Sequence, residues 1–125
     1  VLALLVEEGA FERFGVLGAQ LEDVADFDAA AKLQRSVAVA RCVARDLAAV
    51  GIRCNTIIPG LIDTPIYGEG EASEQFKERL GAGVLFPKRL GQAGEFASLA
   101  VELLRNSYMN AESIRIDAGI RMQPK

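Results

Sequence analysis

The run Ile52-Arg53-Cys54-Asn55-Thr56-Ile57-Ile58-Pro59-Gly60-Leu61-Ile62-Asp63-Thr64-Pro65 carries the chemistry this sequence offers. A near-continuous apolar stretch runs into a Pro-Gly turn, and a Thr-Pro pair follows four residues later. Backbone N–H groups and one hydroxyl are thereby set at the carboxyl end of a strand, the place where open α/β sheets bind ligands. A hydroxyl beside free backbone donors suits an amide or a phosphate oxygen. Other chemistries are excluded. The chain has no histidine, so it offers neither a His-ligated metal nor a Ser-His-Asp arrangement. Its two cysteines, Cys42 and Cys54, stand far from metal-ligand spacing, so no metal site is expected. A net charge of −3 gives no footprint for nucleic acid.

The elements that must position this turn are legible from periodicity. Across residues 29–50, Leu33, Val37, Ala40, Ala44 and Leu47 recur at three- and four-residue steps, while Lys32, Arg35, Arg41 and Arg45 fall off that stripe. Asp28 suits the N-cap of this helix and Gly51 its C′ position. The strand over 52–58 has the apolar character of a parallel sheet covered on both faces. A polar, glycine-containing stretch over 67–83 carries one short amphipathic helix at 73–80, with Ser73 as its cap. Phe86-Pro87-Lys88-Arg89-Leu90-Gly91 forms an extended connector, a helix follows over 95–105, and 113–117 forms a short strand. The opening Val1-Leu2-Ala3-Leu4-Leu5-Val6 is too short for a secretory h-region or a bilayer span and reads as a buried strand.

Helices alternating with strands imply βαβ connections and a parallel sheet. So small a sheet would leave its inner edge without a partner. The chain also starts at Val, so we expect a piece of something longer.

Several separated motifs together resemble the C-terminal half of the short-chain dehydrogenases/reductases. They are Arg45-Asp46-Leu47-Ala48 with Gly51-Ile52-Arg53, the Pro59 to Pro65 turn, Phe86-Pro87-Lys88-Arg89-Leu90-Gly91, and Ile114-Arg115-Ile116-Asp117-Ala118-Gly119-Ile120-Arg121-Met122-Gln123-Pro124. The connector and the closing run are similar to the type II 3-hydroxyacyl-CoA dehydrogenase branch. The resemblance covers residues 45–125. It implies an α/β fold, the C-terminal part of a Rossmann-like doubly wound parallel sheet, left incomplete here. Residues 28–125 would be the C-terminal half of that domain, and residues 1–27 match it poorly.

Carried over by position, the resemblance implies NAD as cofactor. Pro59 and Gly60 would cover its nicotinamide half, Ile62 would pack near it, and Thr64 would bond its carboxamide or pyrophosphate. Residues 67–85 lie where the family places a substrate lid, and their glycines allow movement. Ala111 and Ala118 stand where the branch usually has glycine, at turns that prefer φ > 0. The parent reaction would move hydride between NAD and a secondary alcohol on an acyl-CoA-like substrate. The parent would be a homo-oligomer inside the cell, in the cytoplasm or mitochondrial matrix, with no nucleic-acid or membrane partner.

The family's acid–base residues are absent from this chain, which therefore offers no catalytic residue of its own. Counting back from Arg45, the Tyr and Lys slots of Tyr-x-x-x-Lys fall on Ala29 and Leu33, and the nearest substitutes, Phe27 and Lys32, are five apart. The only tyrosines are Tyr67 and Tyr108, and no serine precedes Ser36. Gly9, Gly15 and Gly18 form no Gly-x-Gly-x-x-Gly turn. By itself the chain should not turn over. The alternative is an inactive scaffold, associating through the small-residue stripe Ala38, Ala40, Ala44 and Ala48 on the long helix.

Overall fold

A computed structural model describes residues 2–7, 14–18 and 28–120; for 2–7, 14–18, 28–33, 35 and 36 it describes the backbone alone. The strands are β1 (Leu2–Glu7), β2 (Phe14–Gly18), β3 (Ile52–Pro59) and β4 (Ser113–Ile116). The helices are α1 (Asp28–Leu47), α2 (Glu71–Ala82) and α3 (Ala93–Arg105), with 3-10 turns at Ala48–Val50 and Pro65–Tyr67. The strand order is β2-β1-β3-β4.

β3 and β4 run parallel. Thr56 N donates to Glu112 O and Gly60 N to Ile116 O, a four-residue advance on both strands. This pair, with α2 and α3 between its strands in sequence, is the expected βαβ arrangement of an incomplete Rossmann-like sheet. The other edge of β3 differs from expectation. β1 lies there, antiparallel to β3 from Leu2 opposite Ile57 to Glu7 opposite Ile52, so that edge has a partner. β2 is a further strand that the pattern hides, because Gly15 and Gly18 dilute a five-residue run. Only six residues join β1 to β2. That is too short for a parallel crossover, so the two pair antiparallel.

The chain divides into two compact units. The first comprises residues 1–58 and 101–114, and its center is β3, where Arg53, Cys54, Asn55, Thr56 and Ile57 are all buried. Side chains alternate across a strand, so Cys54 and Thr56 face one side, and Arg53, Asn55 and Ile57 the other. Cys54 packs with Ala40 and Ala44 of α1, and Val43 and Ala111 close around them. Two members of the small-residue stripe, Ala40 and Ala44, are therefore core contacts with the sheet, while Ala38 and Ala48 are exposed. α1 ends through its 3-10 turn on Gly51, at φ +72, with the Gly51 N–H bonded to Ala48 O. The expected glycine terminus is thus present. The Asp28 cap lies outside the described side chains.

On the opposite side of β3, the Arg53 guanidinium closes the end of α3. It donates to the carbonyls of Leu103 at 3.0 Å, Leu104 at 2.9 Å and Met109 at 2.8 Å. The last carbonyls of a helix have no partner within it, and a buried cation there also suits the helix dipole. Asn55 Nδ2 donates to Met109 O and its Oδ1 accepts from Glu112 N, while Asn110 Oδ1 accepts from Cys54 N. Buried polar groups thus fix the loop leading into β4.

The second unit comprises residues 59–100 and 115–125. In it α2 starts two residues earlier than expected, from Gly70 at φ +98, so Ser73 lies inside the first turn rather than at the cap. Its hydroxyl bonds back to Tyr67 O at 2.9 Å and Gly68 O at 3.1 Å, and satisfies the carbonyls of the preceding turn.

Candidate functional site

The turn at 59–64 is held from three sides, all within the second unit. Its first anchor is the Gly60 N–H, bonded to Ile116 O at 2.9 Å. Gly60 is a glycine for a packing reason: a Cβ there would stand 2.7 Å from the Asp117 Cα and 2.7 Å from its Cβ. The second anchor is a parallel bridge between Ile62 and Gly91, formed by Gly91 N to Leu61 O at 2.9 Å and Asp63 N to Gly91 O at 2.7 Å. The third is ionic. Lys77 of α2 lies 3.0 Å from Asp63 Oδ1 and 3.0 Å from Glu74 Oε1. Hydrogen bonds to Glu74 and then Asp63 hold its ammonium above the usual lysine range.

Between these anchors, the N–H groups of Ile62 and Thr64 donate to no backbone carbonyl among the described residues. The half-buried Thr64 opens the 3-10 turn in an extended conformation, and its hydroxyl makes no capping bond. Pro59 is exposed at the end of β3. Of the four residues singled out from sequence, Ile62 lines a recess of about 230 Å³, and Pro59, Gly60 and Thr64 do not. Leu61, Val84, Phe86, Pro87, Ile116 and Ala118 complete its mostly apolar wall. The volume is below the roughly 300–1,000 Å³ of sites that enclose a drug-sized ligand. It suits one flat or short apolar group.

Arg89 and Glu95 stand on the same wall. They pair at both oxygens, Nη2 to Oε1 at 2.8 Å and Nη1 to Oε2 at 2.9 Å. Glu95 Oε2 also accepts the Gln92 N–H at 2.7 Å. The Arg89 bond, then the Gln92 N–H, lower the Glu95 carboxyl to about 2, while partial burial opposes them. This pair was not legible as a site, since a six-residue separation across a glycine turn follows no helical or strand period. Asp117, which also lines the recess, accepts from Arg115 Nε at 2.8 Å and from Gly119 N at 3.0 Å.

The turns at 111 and 118 have the expected backbone: Ala111 lies at φ +61 and Ala118 at φ +47. Residues 67–85 hold the twelve-residue helix α2, with exposed Phe76 and, at the C-terminal end, exposed Leu85. Ala29, Lys32 and Leu33 lie on the α1 backbone, and Phe27 and residues 121–125 lie outside the described residues. Among the described residues no group of three or more His, Cys, Asp or Glu is placed to hold a metal, and no helix is long and apolar enough to cross a membrane. Both cysteines are free, Cys42 exposed and Cys54 buried, and burial pushes the Cys54 thiol up.

Residues 22–121 match the family model described as enoyl-(acyl carrier protein) reductase. The chain is 45% identical over 82 residues to the 3-hydroxyacyl-CoA dehydrogenase type-2 of Bos taurus, covering 66% of this chain and 31% of that protein. The Homo sapiens protein of the same name gives the same identity and coverage. Among solved structures, 3-hydroxyacyl-CoA dehydrogenase type-2 from Mycobacterium avium is similar with a TM-score of 0.67 and 42% identity, over 77% of this chain and 36% of that one. A small-chain dehydrogenase in complex with NADPH is similar with a TM-score of 0.60 and 28% identity, over 72% of this chain and 41% of that one. The chain spans about a third of the length of these curated relatives.

Proposed function

This chain belongs to the short-chain dehydrogenase/reductase family, and from that premise we propose that it supplies the nicotinamide-facing part of a cofactor cleft. The parent reaction is hydride transfer between NAD and a secondary alcohol of the 3-hydroxyacyl-CoA type. One observation carries this reading: the turn at 59–64 is anchored on three sides yet keeps the N–H groups of Ile62 and Thr64 without backbone partners among the described residues. Those donors and the Thr64 hydroxyl fit a carboxamide or a phosphate oxygen. Pro59 and Gly60 set the turn, Ile62 offers an apolar surface to the nicotinamide ring, and Thr64 donates.

The residues present fit the nicotinamide end of a dinucleotide. For the adenosine end the sequence has no Gly-x-Gly-x-x-Gly turn. When bound, the cofactor supplies the hydride chemistry, and the protein contributes placement and electrostatics. The Ser and Tyr-x-x-x-Lys that move the proton in this family are not in this chain. The choice of an acyl-CoA-like substrate follows the name of the 3-hydroxyacyl-CoA dehydrogenase relatives. NAD as cofactor, and a homo-oligomeric parent acting in the cytoplasm or the mitochondrial matrix, are what the family resemblance implies. We place the family portion at residues 28–125.

NADH titration followed by amide chemical shifts tests the proposal. Shifts should concentrate on Ile62, Thr64 and their neighbors and saturate only at millimolar NADH, with no turnover of a 3-hydroxyacyl-CoA. Saturation in the low micromolar range would mean that an adenosine site exists in this chain. Absence of shifts at residues 59–64 would refute the assignment.

A further inference from the structure

We propose that the Arg89–Glu95 pair is a positioning device for the nicotinamide end of the cofactor, a role that rests on the cofactor reading above. The pair closes residues 89–95 into one rigid loop. Glu95 accepts both guanidinium bonds and the Gln92 N–H, and Arg89 Nη1 also donates to Leu90 O at 2.9 Å. Within that loop stands Gly91, the residue that bridges to the cofactor turn through Leu61 O and the Asp63 N–H. Its contact extends to a side chain: a Cβ on Gly91 would meet Ile62 Cδ1 at 2.8 Å, so the Ile62 side chain rests against the glycine backbone. The pair thereby fixes the backbone on both sides of Ile62 and the seat of its side chain.

A purely stabilising role explains the arrangement poorly. Both side chains are nearly half exposed, at 46% and 47%. Exposed ion pairs contribute little to global stability, yet this one is bidentate, which adds geometric definition. The geometry is used on a loop that bridges to 61–63 and packs its Arg89 backbone against Gly81 of α2.

Two conservative variants separate positioning from structure. Glu95→Gln keeps an acceptor for the Gln92 N–H but loses the ion pair, and Arg89→Lys keeps the charge but loses the two-pronged fork. Three quantities are measured on each: hydrogen exchange at the Asp63 and Gly91 amides, NADH-induced shifts at Ile62 and Thr64, and the urea midpoint. The expected result is exchange at those two amides faster by about fivefold, weaker NADH shifts in the same order, and a midpoint near that of the unaltered chain. Unchanged exchange would overturn the proposal. So would faster exchange with NADH shifts intact, or a fall in midpoint that accelerates exchange throughout the chain. If the unaltered chain shows no NADH shift at 59–64 while exchange at Asp63 and Gly91 still responds to both variants, the cofactor reading falls and the tether stands.

Discussion

Ala118→Gly should stabilise the protein, although it removes a side chain. Ala118 sits at φ +47, in the left-handed region. A Cβ there approaches the following carbonyl oxygen and costs about 1–2 kcal/mol, a penalty glycine lacks. Opposing this gain, glycine adds freedom to the unfolded chain, worth about 0.4–1 kcal/mol. Ala118 is exposed, so little packing is lost, and its carbonyl still accepts from Phe86 N. The net gain is therefore about 0.5–1 kcal/mol, which for a chain of this size raises the melting temperature by roughly 2–5 °C. Ala111 provides a graded comparison. It is at φ +61, but its methyl packs against Ala40, Ala44 and Cys54. Losing a buried methyl costs about 0.8 kcal/mol, so Ala111→Gly should be near neutral. Ala97 provides the control, because it is exposed within α3, where glycine costs about 1 kcal/mol. Urea midpoints should rank Ala118→Gly above Ala111→Gly and both above Ala97→Gly. A midpoint for Ala118→Gly at or below that of the unaltered chain, with Ala97→Gly falling as expected, would refute the backbone argument.

Arg53→Met should cost about 3 kcal/mol in urea unfolding, since it strips the donors from the carbonyls of Leu103, Leu104 and Met109; a loss below about 1 kcal/mol would show those carbonyls find other partners. Gly60→Ala should lower stability by about 1–3 kcal/mol, because the new Cβ meets the Asp117 backbone at 2.7 Å and the neighboring strand must shift. A neutral result would mean that the turn moves freely. Acid unfolding checks the Glu95 carboxylate: its folded value is lowered from 4.5 to about 2, so its contribution is present above 4.5 and is lost as pH falls through 2. Because the pair is nearly half exposed and screened by solvent, Glu95→Gln should flatten the pH dependence only slightly, in that window and nowhere above it, as followed by circular dichroism. A thiol reagent should titrate one cysteine in the folded chain, Cys42, and Cys54 only after denaturant is added; fast reaction of both would place Cys54 at the surface.

The elements with a strong period were legible in the sequence. α1, β3, α3 and β4 lie within a few residues of where apolar spacing put them, and Gly51 ends the long helix as a left-handed residue. β2 was not legible, because two glycines in five residues remove the side-chain alternation that marks a strand. Ser73 misled for a different reason. A serine ahead of an acidic and apolar run looks like a cap, but Gly70 begins the helix and leaves the hydroxyl free to satisfy the previous turn. Arg53 was equally hidden: a charge in an apolar strand gives no clue that the end of a helix fifty residues later awaits its donors.

The cofactor turn shows how a motif can combine two demands. Gly60 is conformationally unremarkable, yet its Cβ would collide with Asp117, and its N–H is already bonded to Ile116. The glycine of the Pro-Gly pair is therefore accounted for by strand packing, with no ligand needed. The same holds for Gly91, which seats Ile62. Among the described residues, what packing leaves over is the N–H groups of Leu61, Ile62 and Thr64 and the Thr64 hydroxyl. Substitutions at the two kinds of position should consequently separate. Glycine replacements should move stability first, whereas Thr64→Val, which removes the half-buried hydroxyl, should leave the urea midpoint within about 0.5 kcal/mol and weaken NADH-induced shifts. Should Thr64→Val lower the midpoint as Gly60→Ala does, the hydroxyl would be a structural group, and the donor set assigned to the nicotinamide end would shrink to the backbone alone.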